Sequence, residues 1–529
     1  MTDLVTLLDQ HARTQPDREA LRAQGHAWTY RQLAEATARA AGALKARGIG
    51  PGDRVALLCF NTPGFVFALF GAWRLGATVV PVNHKLQAPE IEYMLSHSKA
   101  RLCIFDSALR ATVANVRKEV RAEVQWLATE QAADAGEGPD TATPSFDGLL
   151  AESQALQGGQ PSQDGLAEIL YTSGTTGRPK GCMHSHRNVF MSAIAVSVAM
   201  SLTRADRTLI AMPIWHSSPL NNWLLGTLLV GGTVVLQREY APVSFVETLA
   251  AERITFTFGA PIAFLAPLSA VENISRYDLS RMRVWAYGGG PLGADMARKL
   301  IEAYRSENFV QVYGMTEAGP LGSSLHAEDA ITKAGSIGCS GTPGVVLEVR
   351  HPDGRLCGAG EVGEIHLRSP AMMQGYLDDP VATGQAFDAE GWYRSGDLAR
   401  LDEDGYMYVV DRLKDMIVTG GENVYSKEVE DAISAHPDVQ DVAVVGQPHP
   451  EWGETVTALL VARPGRKLDE SAMQAFLSAR LARYKIPRIF QVRDALPRTP
   501  TGKLLKHVLR AEAHPETTPV QTGQPDVTT

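Results

Sequence analysis

The sequence predicts an α/β fold: a large N-terminal domain of two related α/β lobes plus a small β-rich unit, followed by a small α+β C-terminal domain. Three observations carry this. From Arg54 the chain alternates short apolar runs with longer amphipathic ones, the βαβ rhythm of a parallel sheet, and the rhythm returns between Thr208 and Trp285. After Gly335 it gives way to short strands broken by Asp-Gly pairs, which are hairpin signals. At 529 residues, with 44% hydrophobic and 21% charged residues, the chain has ordinary globular composition and room for roughly three to four domain-sized units.

In order, the N-terminal stretch MTDLVTLLDQHARTQPDREA has an early aspartate and an amphipathic spacing, unlike a signal peptide. Then come strand RVALLCF, helix TPGFVFALFGAWRLG, strand TVVPV, helix APEIEYMLSHS and strand RLCIFD. Residues 132–165, rich in Gly, Pro, Asp, Ser and Gln, read as a connection between the lobes. LAEIL reads as a strand entering a long loop, after which Ser185 caps a helix through VFMSAIAVSVAM. RTLIAM, GGTVVLQ, ITFTFG and RVWAY are the strands of the second lobe. The most apolar run, Trp223 to Leu236, is glycine-broken and shorter than the ~20 residues needed to span a bilayer, so it reads as core and no transmembrane segment is expected. VLEVRHPDGRL, GEIHLRS and DEDGYMYVVD supply the β-rich unit. Helix EVEDAISAH, strands DVAVVG and TVTALLVA, and helix ESAMQAFLSARLAR supply the C-terminal domain. The expected domains are 1–411 and 412–510, with 511–529 a disordered tail.

A formal net charge of −9 without a dense basic block excludes a nucleic-acid binder. Five scattered cysteines with no CxxC pair fit a reducing cytoplasm. Cys182, His184 and His186 alternate like strand ligands but lack a second cluster, and are read as structural.

The eleven residues YTSGTTGRPKG, Tyr171 to Gly181, are too long for a plain turn and contain no acid that would oppose an anion. Glycines let backbone approach a ligand closely, and hydroxyls with one ammonium suit phosphate oxygens. The P-loop pattern fails, because Lys180 follows Pro179 and is itself followed by Gly181. Four further stretches stand in order behind it: QVYGMTEAG (311–319), GWYRSGDL (391–398), DRLKDMIVTGGENVY (411–425) and PRTPTGKLLK (497–506).

Together these five stretches resemble the adenylate-forming (AMP-binding) superfamily, in its acyl-CoA synthetase and fatty-acid–CoA ligase branch, from about Leu7 to Lys506. The resemblance implies ATP, Mg²⁺ and coenzyme A as cofactors, a small-molecule carboxylic acid as substrate, and a cytoplasmic enzyme, leaving a homodimer open as the assembly. It places Thr172, Ser173, Gly174, Thr175, Thr176, Gly177 and Lys180 around the β- and γ-phosphates, Glu317 on Mg²⁺, Thr316 at the α-phosphate and Tyr313 on adenine, with Gly314 and Met315 also among the cofactor-binding residues. Gly288, Gly289 and Gly290 lie against adenine and the acyl group, and Asp397 and Arg412 on the ribose. Thr172, His216, Glu317 and Lys503 form the catalytic set, His216 as the gate at the carboxylate end of an acyl pocket that includes Ser217, Ser218 and Asn222. Lys503 bridges the carboxylate and α-phosphate in the first half-reaction. The C-terminal domain is implied to be mobile, turning about Lys414 so that Gly420 and Gly421 line a pantetheine tunnel in the second. Trp452, Tyr484 and Arg488 resemble positions that contact the CoA nucleotide.

The resemblance leads to an acid:CoA ligase (AMP-forming), ahead of a peptide-synthetase adenylation module, for which Met212 to Leu225 lacks an acidic residue, and ahead of a non-catalytic nucleotide binder. For the acid, YGMTEAGP and GGGPLG look like the aryl branch typified by coumarate–CoA ligases. Ser218 and Asn222, however, stand where that branch would put a tyrosine and a serine near the phenolic ring. Small residues beside the apolar run suit an alkyl chain, so a medium- or long-chain fatty acid is expected, with an aryl acid the alternative.

Overall fold

The computed structural model describes residues 3–120, 123–129, 143–156, 158–159, 161–172, 179–419, 422–478, 480–498 and 504–512. The chain divides into a larger unit, Met1–Glu348 with His366–Ser395 and Leu401–Tyr408, and a smaller one, Val349–Ile365 with Gly396–Arg400 and Val409–Thr529. The smaller unit therefore takes in two short segments that precede residue 411.

Two mixed sheets form the larger unit. The first runs Gly375–Tyr376, Lys180–Ser185, Leu166–Thr172, Thr78–Pro81, Arg54–Leu58, Leu102–Asp106 and Gln125–Thr129. Its middle strands are parallel and almost wholly buried, which is why they read as unbroken apolar runs rather than alternations. The second runs Gly322–Leu325, Phe309–Gly314, Val284–Gly288, Phe256–Gly259, Arg207–Ile210, Thr233–Leu236, Glu19–Ala23 and His26–Thr29. Its far edge is an N-terminal hairpin, Glu19–Ala23 with His26–Thr29, that the sequence reading did not assign; Leu21 pairs with Val234 in parallel.

Side chains bind the two lobes. The Asn61 amide, just beyond Arg54–Leu58, donates to Met212 O and Gln237 O at 3.0 Å each and accepts the Ile214 N–H at 2.9 Å. Arg238 grips the fully buried Asp106 through two bonds of 2.8 and 3.0 Å. A planar guanidinium matched to both carboxylate oxygens is the geometry in which a buried charge is fully answered.

One expected element is corrected. The phosphate loop is followed by a strand, Lys180–Ser185, and only then by the helix His186–Ala199. Ser185 does cap that helix, accepting the Asn188 N–H at 3.1 Å. A four-stranded sheet has the neighbour order Val346–Arg350, Val362–Arg368, Tyr393–Leu401, Met407–Arg412.

In the smaller unit the long hairpin Val439–His449 and Gly453–Ala462 takes Ile489–Val492 in parallel on one side. The helices Ser426–Ser434 and Glu470–Ser478 bury Val429, Ile433, Met473 and Leu477 against Val444 and Val456. The second helix is shorter than the expected run through Arg483.

Candidate active site

Thr172 and Lys180 stand directly opposite each other at the ends of paired antiparallel strands, so the glycine-rich stretch between them joins a hairpin. Ser173, Gly174, Thr175, Thr176 and Gly177 lie outside the described residues. The Lys180 ammonium sits 5.0 Å from the ring centroid of Tyr376. A cation held by a ring face keeps its N–H donors for an anion. The Tyr376 hydroxyl in turn donates to Glu317 Oε1 at 3.1 Å. Burial above all, then the Glu317 charge, pushes the Tyr376 phenol far above the ordinary tyrosine value, so it remains a donor. Tyr393 is raised for the same reasons, burial first, then Glu317 and Tyr376. One tyrosine thus supports the lysine with its face and the carboxylate with its hydroxyl.

Glu317 occupies a single 3₁₀ turn, Thr316–Ala318, immediately beyond the strand Phe309–Gly314. The neighbouring parallel strand Val284–Gly288 ends in the three glycines, so both motifs emerge at carboxyl ends of adjacent strands, where open α/β sheets bind ligands. Gly288 is buried, and a Cβ there would meet Val312 O at 2.8 Å; Gly289 adopts φ +82°. Both positions therefore exclude a side chain, while Gly290 faces open space. Tyr313 is half-buried, Met315 and Thr316 likewise, and Gly314 is exposed.

Ser217 Oγ lies 2.9 Å from Thr316 Oγ1, joining the segment that carries His216 to the 3₁₀ turn. His216 is exposed, not a core histidine, and heads a π-helical turn, Ser218–Leu224. Ser218 Oγ accepts the Trp223 indole N–H at 3.1 Å. The Asn222 amide donates to Pro320 O at 3.1 Å and accepts from Ser192 Oγ at 2.9 Å. Trp223 is buried and stacks on Phe258, with ring centroids 5.3 Å apart.

Cys182, His184 and His186 behave as structural groups. All three are buried; burial raises the thiol well above its usual value and lowers both imidazoles to about 4, so they are neutral. Among the described residues, His351, Cys357 and Glu361 are the group whose ligand atoms cluster, within 4.8 Å. Arg355 already holds both Glu361 oxygens at 3.0 and 3.1 Å, so no charge is left for a cation there.

In the smaller unit, Arg412 Nε lies 2.9 Å from Oδ1 of the buried Asp397, and the Leu413 N–H donates to Gly396 O at 2.8 Å, so the two residues face each other from the neighbouring strands Tyr393–Leu401 and Met407–Arg412. Lys414 is exposed on the next turn. Gly420, Gly421 and Lys503 lie outside the described residues. His449 stacks on Trp452 with centroids 4.1 Å apart and planes 7° apart, and the Arg488 guanidinium carbon is 3.5 Å from the same centroid. Two groups so near one centroid would collide on a single face, so they occupy opposite faces, and a further ring stacks on Trp452 only by displacing one of them. Tyr484 is 36% exposed.

The sequence reading missed Tyr376 and Tyr393. Tyr393 lies in GWYRSGDL, a stretch singled out for Asp397 alone; Tyr376 lies in QGYLDD, whose approach to Glu317 depends on pairing with the strand Lys180–Ser185, Tyr376 opposite Cys182.

Adjacent parallel strands that end in a glycine turn and a tyrosine-held carboxylate, with a lysine-bearing hairpin against the same tyrosine, fit a nucleotide-binding α/β enzyme. Residues 8–377 match the model of the AMP-binding enzyme family, and residues 428–503 that of the AMP-binding enzyme C-terminal domain. The chain is 38% identical over 503 residues to a feruloyl-CoA synthase of Amycolatopsis sp, covering 95% of this chain and 97% of that protein. It is 35% identical over 489 residues to the long-chain-fatty-acid–CoA ligase FadD13 of Mycobacterium tuberculosis, covering 92% and 93%. The crystal structure of ATP-bound MatB from Rhodopseudomonas palustris superposes with a TM-score of 0.84 at 29% identity, covering 96% and 98%. The chain belongs to the AMP-binding enzyme family, in its adenylate-forming acyl-CoA synthetase branch, and is an enzyme of the acid–CoA ligase class. Among the described residues, no helix is long and apolar enough to cross a membrane.

Proposed function

We propose that this chain joins a medium- or long-chain fatty acid to coenzyme A in two steps. In the first, a carboxylate oxygen attacks the α-phosphorus of ATP and pyrophosphate leaves. In the second, the coenzyme A thiol attacks the acyl carbonyl of the acyl-adenylate and AMP leaves. The observation that carries the reading is the Lys180–Tyr376–Glu317 arrangement, which presents an ammonium and a carboxylate from one tyrosine. Lys180 serves the departing phosphates, Thr316 the α-phosphate, and Asp397 with Arg412 the ribose; Lys503 serves the first step alone.

Glu317 offers the hard oxygen that Mg²⁺ prefers, beside the hydroxyl-bearing Thr316, and this donor set fits that ion. Bound there, the ion would neutralise phosphate charge. The role of Tyr376 is to hold the carboxylate in place. Tyr376→Phe keeps the ring beneath Lys180 and removes only the hydroxyl. A hydrogen bond to a charged group contributes about 1.5–3 kcal/mol, so the KM for ATP should rise about tenfold or more with little change in the KM for the acid. Equal effects on both constants in steady-state titrations would refute that role.

For the acid, Ser218 is held by Trp223 and Asn222 by Ser192 and Pro320, which leaves only the Ser218 hydroxyl proton and the second Asn222 amide proton for a phenolic oxygen. An alkyl chain needs no polar partner and gains about 0.8 kcal/mol per buried methylene. A second reading, an aryl acid, is favoured by the likeness to feruloyl-CoA synthase. A panel from acetate to palmitate, with ferulate, coumarate and benzoate, decides between them. kcat/KM should climb with chain length and then level. An aryl acid that exceeds every alkyl acid reverses the assignment.

A further inference from the structure

Behind the segment that carries His216 and Ser217 lies a carboxyl group that the adenylation chemistry does not use. Glu168 sits in the strand Leu166–Thr172 with no exposed surface. Its Oε1 accepts from Asn221 Nδ2 at 2.6 Å, while Oε2 has no partner, and neither has Asn221 Oδ1. Asn221 lies in the π-helical turn Ser218–Leu224, a wide turn of a kind found mostly as short insertions and often at functional sites.

The groups around Glu168 do not answer a negative charge. On one side it pairs with Val79; on the other His184 stands opposite in register, buried, with both ring nitrogens unpartnered. On the neighbouring helices, Arg74 is bound to Asp9 and Arg187 to Asp164, and His186 packs edge-on against Trp73. A proton on Oε2 would supply the donor that Asn221 Oδ1 lacks, and a carboxylic acid and an amide already joined by one bond can close a second between these two orphaned atoms. An ionised carboxyl leaves a buried charge unpaired.

We propose that Glu168 is a positioning residue for the acid site: as a neutral acid it holds Asn221, and through Asn221 the wide turn that presents His216, Ser217 and Ser218 to the substrate. The inference rests on the acid-site assignment made above. Burial pushes the Glu168 carboxyl up to about 7, against a smaller lowering by Asn221, so the group loses its proton close to neutrality. Losing the proton strengthens the Asn221 Nδ2 bond to Oε1 but removes the only donor offered to Asn221 Oδ1 and leaves an unpaired buried charge, so the turn is held more firmly below neutral pH than above it.

The test uses the full chain as wild type, Glu168→Gln and Asn221→Ala. Glutamine is neutral at every pH, accepts from Asn221 and can donate back. With the best acid of the panel, the wild-type KM for the acid should rise about fivefold from pH 6 to pH 8.5, while the KM for ATP changes less than about twofold. Glu168→Gln should remove the rise and keep the low-pH value; Asn221→Ala should show the raised value at both pH values. Hydrogen exchange of the peptide spanning 216–224, corrected for the intrinsic pH effect, should quicken at pH 8.5 in wild type and not in Glu168→Gln. This second readout needs no substrate. Inactivity toward every acid would defeat the proposed function alone, whereas unchanged exchange, or a wild-type pH profile in Glu168→Gln, overturns the role of Glu168.

Discussion

Lys503→Ala should lower ATP–pyrophosphate exchange by about 10²- to 10³-fold while leaving conversion of a supplied acyl-adenylate to the thioester near the wild-type rate. The asymmetry follows from charge. In the first half-reaction a carboxylate approaches a polyphosphate, and an ammonium placed between the two anions offsets their repulsion as the new bond forms. In the second, the electrophile is a neutral carbonyl, so no two anions have to be brought together, and the repulsion that the Lys503 ammonium is proposed to offset is absent. Exchange assays isolate the first step, and synthetic acyl-adenylate with coenzyme A isolates the second. Equal losses in both would mean that Lys503 supports the fold or both steps.

Glu168→Gln should make the protein more stable at pH 8, by about 3 kcal/mol at most, and no more stable near pH 4.5. The folded carboxyl titrates at about 7 against an ordinary 4.5. Between those values the folded state binds more protons than the unfolded one, so wild-type stability falls as pH rises through the window and the full cost is present above it. The amide carries no such cost. For a unit of this size the thermal midpoint at pH 8 should rise by about 3–6 °C. Parallel pH–midpoint curves for the two proteins would show that Glu168 is not buried neutral.

How much of this was legible in the sequence depended on the range of the interaction. The strands from Arg54 to Asp106 were readable because a parallel strand buried on both faces is apolar throughout, whatever its partners. Ser185 was readable as a cap because a cap acts over three residues. The strand Lys180–Ser185 was not: KGCMHS lacks β-branched residues, and its pairing with Leu166–Thr172, not its own propensity, makes it extended. The same holds within the site. Glu317 and Lys180 sit in local motifs that can be read by eye, whereas Tyr376 joins them only because one short strand pairs across the sheet edge. Nothing in LAEIL marks Glu168 for a role, because its partner is 53 residues away.

The N-terminal hairpin sets an order of events in time. Glu19–Ala23 finds its parallel neighbour only at Thr233–Leu236, and the Tyr30 hydroxyl its acceptor only at Gly232, 202 residues later. At translation speeds of about 5–20 residues per second, the start of the chain leaves the ribosome roughly 10–40 s before the edge it completes exists. For that interval a strand with unpaired backbone groups is available to any passing edge, including that of another nascent copy. The hairpin of residues 19–29 is therefore held by local pairing alone until Thr233–Leu236 is made, and its docking closes one edge of a sheet whose opposite edge, Gly322–Leu325, is synthesised later still.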